Sequence, residues 1–168
     1  MSEKPPAQRK SRGFVETKSV IPASPERVWD RATSPEGINH ELGPWIRMTV
    51  PKGLQSGIPD DLAAPARLGR SWILAFGLIP VEFDDIYIAE LEPGRRFHET
   101  SSMLMMSLWE HERVIERREE GCEVTDRITF EFRAPLQRVP GSYAVAGAMV
   151  AAVFRHRHRR LRSHFSRP

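Results

Sequence analysis

GSYAVAGAMVAAVFRHRHRRLRSHF, Gly141 to Phe165, reads as one helix with two unlike halves. Positions 143, 147, 150, 154, 158, 161 and 165 advance by threes and fours, the spacing of a single helical face. Gly141–Phe154 has no charged residue and is mostly Ala, Val and Gly, whereas Arg155–Arg162 is almost solid base. Leu161 and Phe165 nevertheless carry the apolar stripe through the basic half. Such a stripe lies on a partner surface, and its small side chains either permit close approach or leave a hollow.

Upstream, the chain supplies that surface. Phe14–Ile21 alternates as a strand, with Phe14, Glu16, Lys18 and Val20 on one face and Val15, Thr17, Ser19 and Ile21 on the other. Ser24-Pro25-Glu26 and Ser34-Pro35-Glu36 each start a short helix, with serine at the cap, proline in the first turn and glutamate at the positive end. Val28, Trp29 and Ala32 give the first an inner face, and Gly43-Pro44 ends the second. Trp45–Val50 is a predicted strand. The Gly- and Pro-rich stretch 51–68 that follows is irregular, and reads as a loop over the sheet mouth or as a mobile insertion. Arg70–Leu78, Pro80–Leu91, Arg96–Ser101, Met103–Arg118 and Glu123–Arg133 are predicted strands joined by short turns. Short connections favour an antiparallel meander, and only the last helix is long enough to cover its apolar face. At about 1.5 Å per residue, a helix of about 24 residues spans roughly 36 Å. The expected class is α+β, a long C-terminal helix on an antiparallel sheet with two short helices after the first strand.

With 168 residues, 40% of them hydrophobic and 28% charged, the chain fits one globular domain at residues 13–168, behind a polar, charged leader at residues 1–12 expected to be disordered. The single cysteine, Cys122, excludes an internal disulfide and suits a reducing cytoplasm. The longest apolar run, Tyr143–Phe154, has 12 residues, too few to cross a bilayer. The net charge of +3 is local. Gly141–Pro168 holds six arginines and no acids, and the other 140 residues hold 19 bases and 22 acids, a net of −3. The basic run reads as a solvated helix end that complements the helix dipole; a nucleic-acid or membrane patch is the alternative.

The stretches VIPASPERVWDRAT (Val20–Thr33), LEPGRRF (Leu91–Phe97), WEHERVIE (Trp109–Glu116) and FRHRHRRL (Phe154–Leu161) resemble the START and polyketide-cyclase-like superfamily, abbreviated SRPBCC, over residues 13 to 165. The resemblance implies a helix-grip fold: a curved antiparallel sheet wrapped around the long C-terminal helix, with a deep cavity between them. Members bind lipids, sterols, quinones, plant hormones or polyketides, some catalyse cyclisation or dehydration, and others carry lipids or bind protein partners. The fold alone does not choose among these.

Polar residues on inner strand positions are the candidates for chemistry. Alternation puts Trp109, His111, Arg113 and Ile115 on the inner side of their strand and Glu110, Glu112 and Glu116 outside. In the next strand Asp126 joins the apolar set Val124, Ile128, Phe130 and Phe132. His111, Arg113 and Asp126 are therefore the candidate catalytic or ligand-orienting cluster, with His111 the acid–base group. The competing structural reading, preferred for the ion pair, is an Arg113–Asp126 bridge at a sheet end where both reach solvent, with His111 bonded to backbone. Candidate ligand contacts are Tyr143, Gly147, Met149, Val150 and Phe154 from the helix and Trp72, Phe76, Trp109 and His111 from the sheet. Gly147 marks the expected hollow.

No metal and no cofactor is expected. His98 with Glu99, His156 with His158, and His40 with Glu41 lack the ligand count of a metal site. Cys122 sits among acids that blunt a thiolate, and no phosphate loop or nucleophile elbow occurs. The sequence reading favours non-catalytic binding of a hydrophobic or amphipathic small molecule such as a lipid, quinone or polyketide. The alternatives are a polyketide cyclase or dehydratase-like enzyme, and an interaction protein using the Arg-rich helix end. A homo-oligomer is left open.

Overall fold

Seven antiparallel strands curl into a half-barrel, and a long helix lies along its inner face. The computed structural model describes residues 11–59 and 61–166, so the leader expected at residues 1–12 falls, up to residue 10, outside them. The elements run β1 (Gly13–Ile21), α1 (Pro25–Thr33), α2 (Pro35–Leu42), β2 (Ile46–Met48), β3 (Ala66–Ala75), β4 (Ile79–Glu92), β5 (Arg96–Met103), β6 (Met106–Arg118), β7 (Gly121–Phe132) and α3 (Ser142–Phe165). Strand order is β1-β7-β6-β5-β4-β3-β2, so consecutive strands are neighbours except β1, which joins the far side of β7. The α+β helix-grip architecture expected from the sequence is the one observed.

Local chemistry explains the boundaries. Ser34 Oγ accepts the Gly37 N–H at 3.1 Å and donates to the Arg31 carbonyl at 2.9 Å, closing α1 and opening α2 with one side chain. The corner is so tight that a Cβ on Gly37 would stand 1.6 Å from the Arg31 carbonyl oxygen. The strand expected at Trp45–Val50 is observed as Ile46–Met48, and a side chain covers its free edge. Asn39 bonds both backbone groups of Met48, its Oδ1 accepting the N–H at 2.8 Å and its Nδ2 donating to the carbonyl at 3.0 Å. Register shifts in β3, β4 and at the start of β6 are the irregularities that bend a sheet. Gly69 sits at one of them with φ +112°, a conformation that suits glycine.

The core divides along α3. At its C-terminal end Ile21, Val28, Trp29, Phe97, Ile115, Val124 and Leu161 pack together. At the other end Ile128, Phe130, Phe132 and Phe154 form a second group, joined by Tyr143, Val150 and Val153. A third group, Leu54, Leu68, Ile86 and Ile88, lies under the stretch 51–68, and Ile58 and Leu62 pack against it. That stretch is therefore a packed wall rather than an appended loop.

Candidate functional site: a hollow beside a buried charge cluster

Between α3 and the β3–β6 part of the sheet the side chains do not meet, leaving a hollow of about 740 Å³. Ala146, Met149, Val150, Val153 and Phe154 face it from α3, and Ile38 and Leu42 from α2. Ile73, Ile86, Ile88, Phe97, Met103 and Trp109 wall it from the sheet, Leu54 and Ile58 from the irregular stretch, and Val50 from just before it. Small residues on α3 keep its first half from filling this space. Among the described residues no helix is long and apolar enough to cross a membrane.

One side of the hollow is polar. Glu82, Asp84 and Glu99 all line it, and all are nearly buried. Glu82 is fully engaged: its carboxylate accepts the backbone N–H of Phe83 at 2.9 Å, Leu104 at 2.6 Å and Met105 at 3.1 Å. Glu99 accepts the Ser101 hydroxyl at 2.6 Å. Asp84 has one buried oxygen, Oδ1, without a hydrogen-bond partner among the described residues. Burial, and then the charge and hydrogen bond of Glu99, push the Asp84 carboxyl well above the usual carboxylate range.

Deeper in, charged groups are buried together. Asp126, fully buried, accepts four hydrogen bonds. Arg113 donates Nε to Oδ1 and Nη2 to Oδ2, each at 2.7 Å. His111 and His158 bring their Nε2 to the two oxygens at 2.8 Å each. Glu41, also fully buried, accepts from Arg113 Nη1 at 3.3 Å and Nη2 at 3.2 Å, and from Arg157 Nε at 3.0 Å. Burial alone would raise the Asp126 carboxyl, but the Arg113 guanidinium and then His111 outweigh it and hold the group well below its usual range. Burial likewise disfavours the Arg113 cation, and Asp126 and Glu41 outweigh it. A carboxylate can only accept, so both imidazoles present Nε2–H to Asp126. On His158 that leaves Nδ1, 2.7 Å from Ser19 Oγ, to accept the hydroxyl proton. On His111 it leaves Nδ1 facing Glu99 Oε2 at 3.9 Å, on the side of the hollow. Phe97 and Phe154 hold the His111 ring edge-to-face from two sides, each at 5.1 Å.

Register explains the meeting. Arg113 stands directly opposite Asp126 in the β6–β7 ladder, and β1 passes on the other side of Asp126. Of the sequence candidates, His111, Arg113 and Asp126 thus come together. The Arg113–Asp126 bridge, however, has no solvent access, and His111 bonds Asp126 rather than backbone. The reading of the basic run as a solvated end needs the same correction. Arg157 and His158 turn inward to Glu41 and Asp126. His156 Nε2 reaches the Gly43 carbonyl at 2.7 Å and Arg160 Nε the His40 carbonyl at 3.1 Å, so two more basic side chains cap the end of α2. Arg155, Arg159 and Arg162 stay exposed.

Trp109, His111, Met149, Val150 and Phe154 line the hollow, while Trp72, Phe76, Tyr143 and Gly147 are not part of its wall. Trp72 faces outward against Phe83, because its neighbours Ser71 and Ile73 take the inner positions of β3. Phe76 follows β3 at the hairpin tip and packs on Trp45. Tyr143 stacks on Phe130, and its hydroxyl accepts the Phe132 N–H at 3.3 Å. Around Gly147 a Cβ would meet nothing within 4 Å. Asp84 and Arg157 carry no signal in the sequence, and Glu99, Glu41 and His158 enter it as site candidates only as members of incomplete metal pairs. Cys122 is buried, and burial, then Glu26, pushes its thiol up to about 11. Among the described residues no group of three or more His, Cys, Asp or Glu could hold a metal ion.

Comparisons with known proteins agree with this architecture. The Zhui aromatase/cyclase of a Streptomyces species superposes with a TM-score of 0.69 at 10% identity, covering 94% of this chain and 95% of that one. A START superfamily protein from Mycobacterium smegmatis gives 0.65 at 12% identity, covering 91% and 97%. The protein Ara h 8.0201 gives 0.56 at 12% identity, covering 91% and 99%. The chain shares the helix-grip fold of these proteins. No curated protein matches the sequence. A family model described as "Domain of unknown function (DUF8410)" matches residues 19–165.

Proposed function

We propose that this chain, which belongs to the DUF8410 family, takes up a hydrophobic or amphipathic small molecule, of the order of a lipid, quinone or polyketide, in the hollow under α3. One observation carries the reading. A space of about 740 Å³, walled largely by aliphatic and aromatic side chains, opens inside the fold, where protein interiors otherwise pack like organic crystals. Ligand pockets span about 300–1,000 Å³ and combine apolar walls with a few polar groups. Burying about 300 Å² of apolar ligand surface contributes roughly 7 kcal/mol before ordering costs. On this reading residues 13–168 form one ligand-binding domain of a cytoplasmic protein. Native mass spectrometry of freshly purified protein tests it. A small molecule that co-purifies and leaves on mild activation is expected; a chain that is empty and takes up no apolar probe refutes it.

A second reading has its own observation, the Asp126–His111 pair. With Nε2–H held by a buried carboxylate, His111 keeps a basic nitrogen toward the hollow. Polyketide cyclase or dehydratase-like chemistry, suggested by the fold shared with the Streptomyces aromatase/cyclase, would use that nitrogen to move a proton. Turnover of a poly-β-ketone thioester would then show a bell-shaped pH profile that collapses in His111→Ala; a variant that turns over unchanged removes the reading.

A further inference from the structure

We infer that the ligand of the hollow carries a protonated amine on an apolar body, and that Asp84 and Glu99 receive the ammonium group. This rests on the small-molecule reading above and specifies its ligand. Glu82, Asp84 and Glu99 offer acceptors at this side of the hollow, and the Ser71 hydroxyl opposite Asp84 gives its proton to the Thr49 carbonyl at 2.6 Å. Asp84 is 5% exposed, lines the hollow, and has Oδ1 unpartnered among the described residues. Glu99 uses Oε1 for the Ser101 hydroxyl, while Oε2 stands 3.9 Å from His111 Nδ1, too far for a hydrogen bond. His111 Nδ1 accepts as well, because Nε2–H is committed to Asp126.

The neighbouring charges do not answer these acceptors. Glu82 is occupied by three backbone N–H groups and adds a further negative charge. Arg157 reaches the wall but gives its Nε to Glu41, and Arg113 is divided between Glu41 and Asp126. Burial and the Glu99 charge push the Asp84 carboxyl up, as befits an acid lodged without a cation. An ammonium group is compact and carries three N–H donors and a positive charge. It matches the acceptors that Asp84, Glu99 and His111 place along this side of the hollow. A hydroxyl offers one donor and no charge. A carboxylate offers no donor and adds a negative charge where three carboxyl groups already gather.

The test is equilibrium displacement of a neutral apolar dye, Nile red, from the full chain by decylamine, decanol and decanoate. In the wild type, decylamine is expected to bind about 10- to 100-fold tighter than decanol, in keeping with a charge-assisted hydrogen bond, and decanoate weakest. Asp84→Asn and Glu99→Gln should each bring the amine to within about threefold of the alcohol, with decanol binding retained as the sign of an intact hollow. Equal binding of amine and alcohol in the wild type overturns the inference and leaves the small-molecule reading standing. An amine preference that survives in both variants also overturns it. Displacement by none of the three overturns the inference, and failure of Nile red itself to bind removes the small-molecule reading.

Discussion

Replacing Asp126 by Asn keeps the shape of the side chain and removes the charge at the centre of the buried cluster. Counting the imidazoles as neutral, Arg113 and Arg157 balance Asp126 and Glu41, so the wild-type cluster has no net charge. Asp126→Asn leaves a buried excess of one positive charge, and the Asn amide turns donors toward a donor. Arg113 is then held only by Glu41, at 3.2 and 3.3 Å, instead of by two bonds of 2.7 Å as well. Removing one partner of a buried pair costs about 3–5 kcal/mol, which for a domain of this size lowers the melting temperature by roughly 6–20 °C. Urea unfolding followed by the fluorescence of Trp29, which is 3% exposed, measures the loss at constant m-value. The double variant Arg113→Met with Asp126→Asn restores neutrality, since Arg157 and Glu41 remain paired. It should recover about 2 kcal/mol relative to the sum of the single changes. The pH dependence has a definite sign. The folded Asp126 carboxyl lies below its unfolded value, so its stabilisation is complete above about pH 4 and is lost as the pH falls toward the folded value. The variant should show a flatter acid limb. Single and double losses that simply add, or a single loss below about 1 kcal/mol, would refute the charge coupling.

Asp84→Asn has the opposite sign. The folded carboxyl is raised, so the wild type loses stability as the pH climbs from about 4 toward the folded value. The amide should equal the wild type near pH 4 and exceed it by about 1–3 kcal/mol at neutral pH in thermal melts; no gain on raising the pH would rule this out. Ala146→Trp combined with Val150→Trp puts bulk into the hollow from two turns of α3 and should abolish uptake of an apolar dye with the circular dichroism unchanged. Gly147→Trp, which projects elsewhere, should take up the dye as the wild type does.

The fold was legible because several local signals agreed. Two Ser-Pro-Glu starts marked α1 and α2. In β6 the outer Glu110, Glu112 and Glu116 contrast with the buried His111, Arg113 and Ile115, so the faces could be told apart. In β3 and β4 they could not. Trp72 with Leu74 and Ile73 with Ala75 are equally apolar, and Val81 with Phe83 competes with Ile86 and Ile88. A period of two finds the strand but not its inner side in such a case. The sequence therefore points Trp72 inward and gives no sign that Glu82 and Asp84 face the same way. His158 did lie on the apolar stripe of α3 by spacing, but within RHRHRRLR the charge of its neighbours suggested water. Glu41 carried no local sign, because its partners Arg113 and Arg157 stand 72 and 116 residues away in sequence.

The unequal fastening of α3 gives the fold a direction of opening. Its C-terminal half is pinned to β1, α2 and β7 by side chains from His156, Arg157, His158 and Arg160. Its first half rests mainly on apolar packing beside an empty space, with Val145 and Met149 exposed. Local opening is easiest where buried contacts are fewest, so the first half of the helix is the part expected to open, with its far end as the hinge. On the small-molecule reading, the stretch 142–150 is where a guest would enter, with the charge cluster, and with it the orientation of His111, left closed. Arg157 and Arg160, with His156 and His158, are in this sense the hinge pins of the hollow.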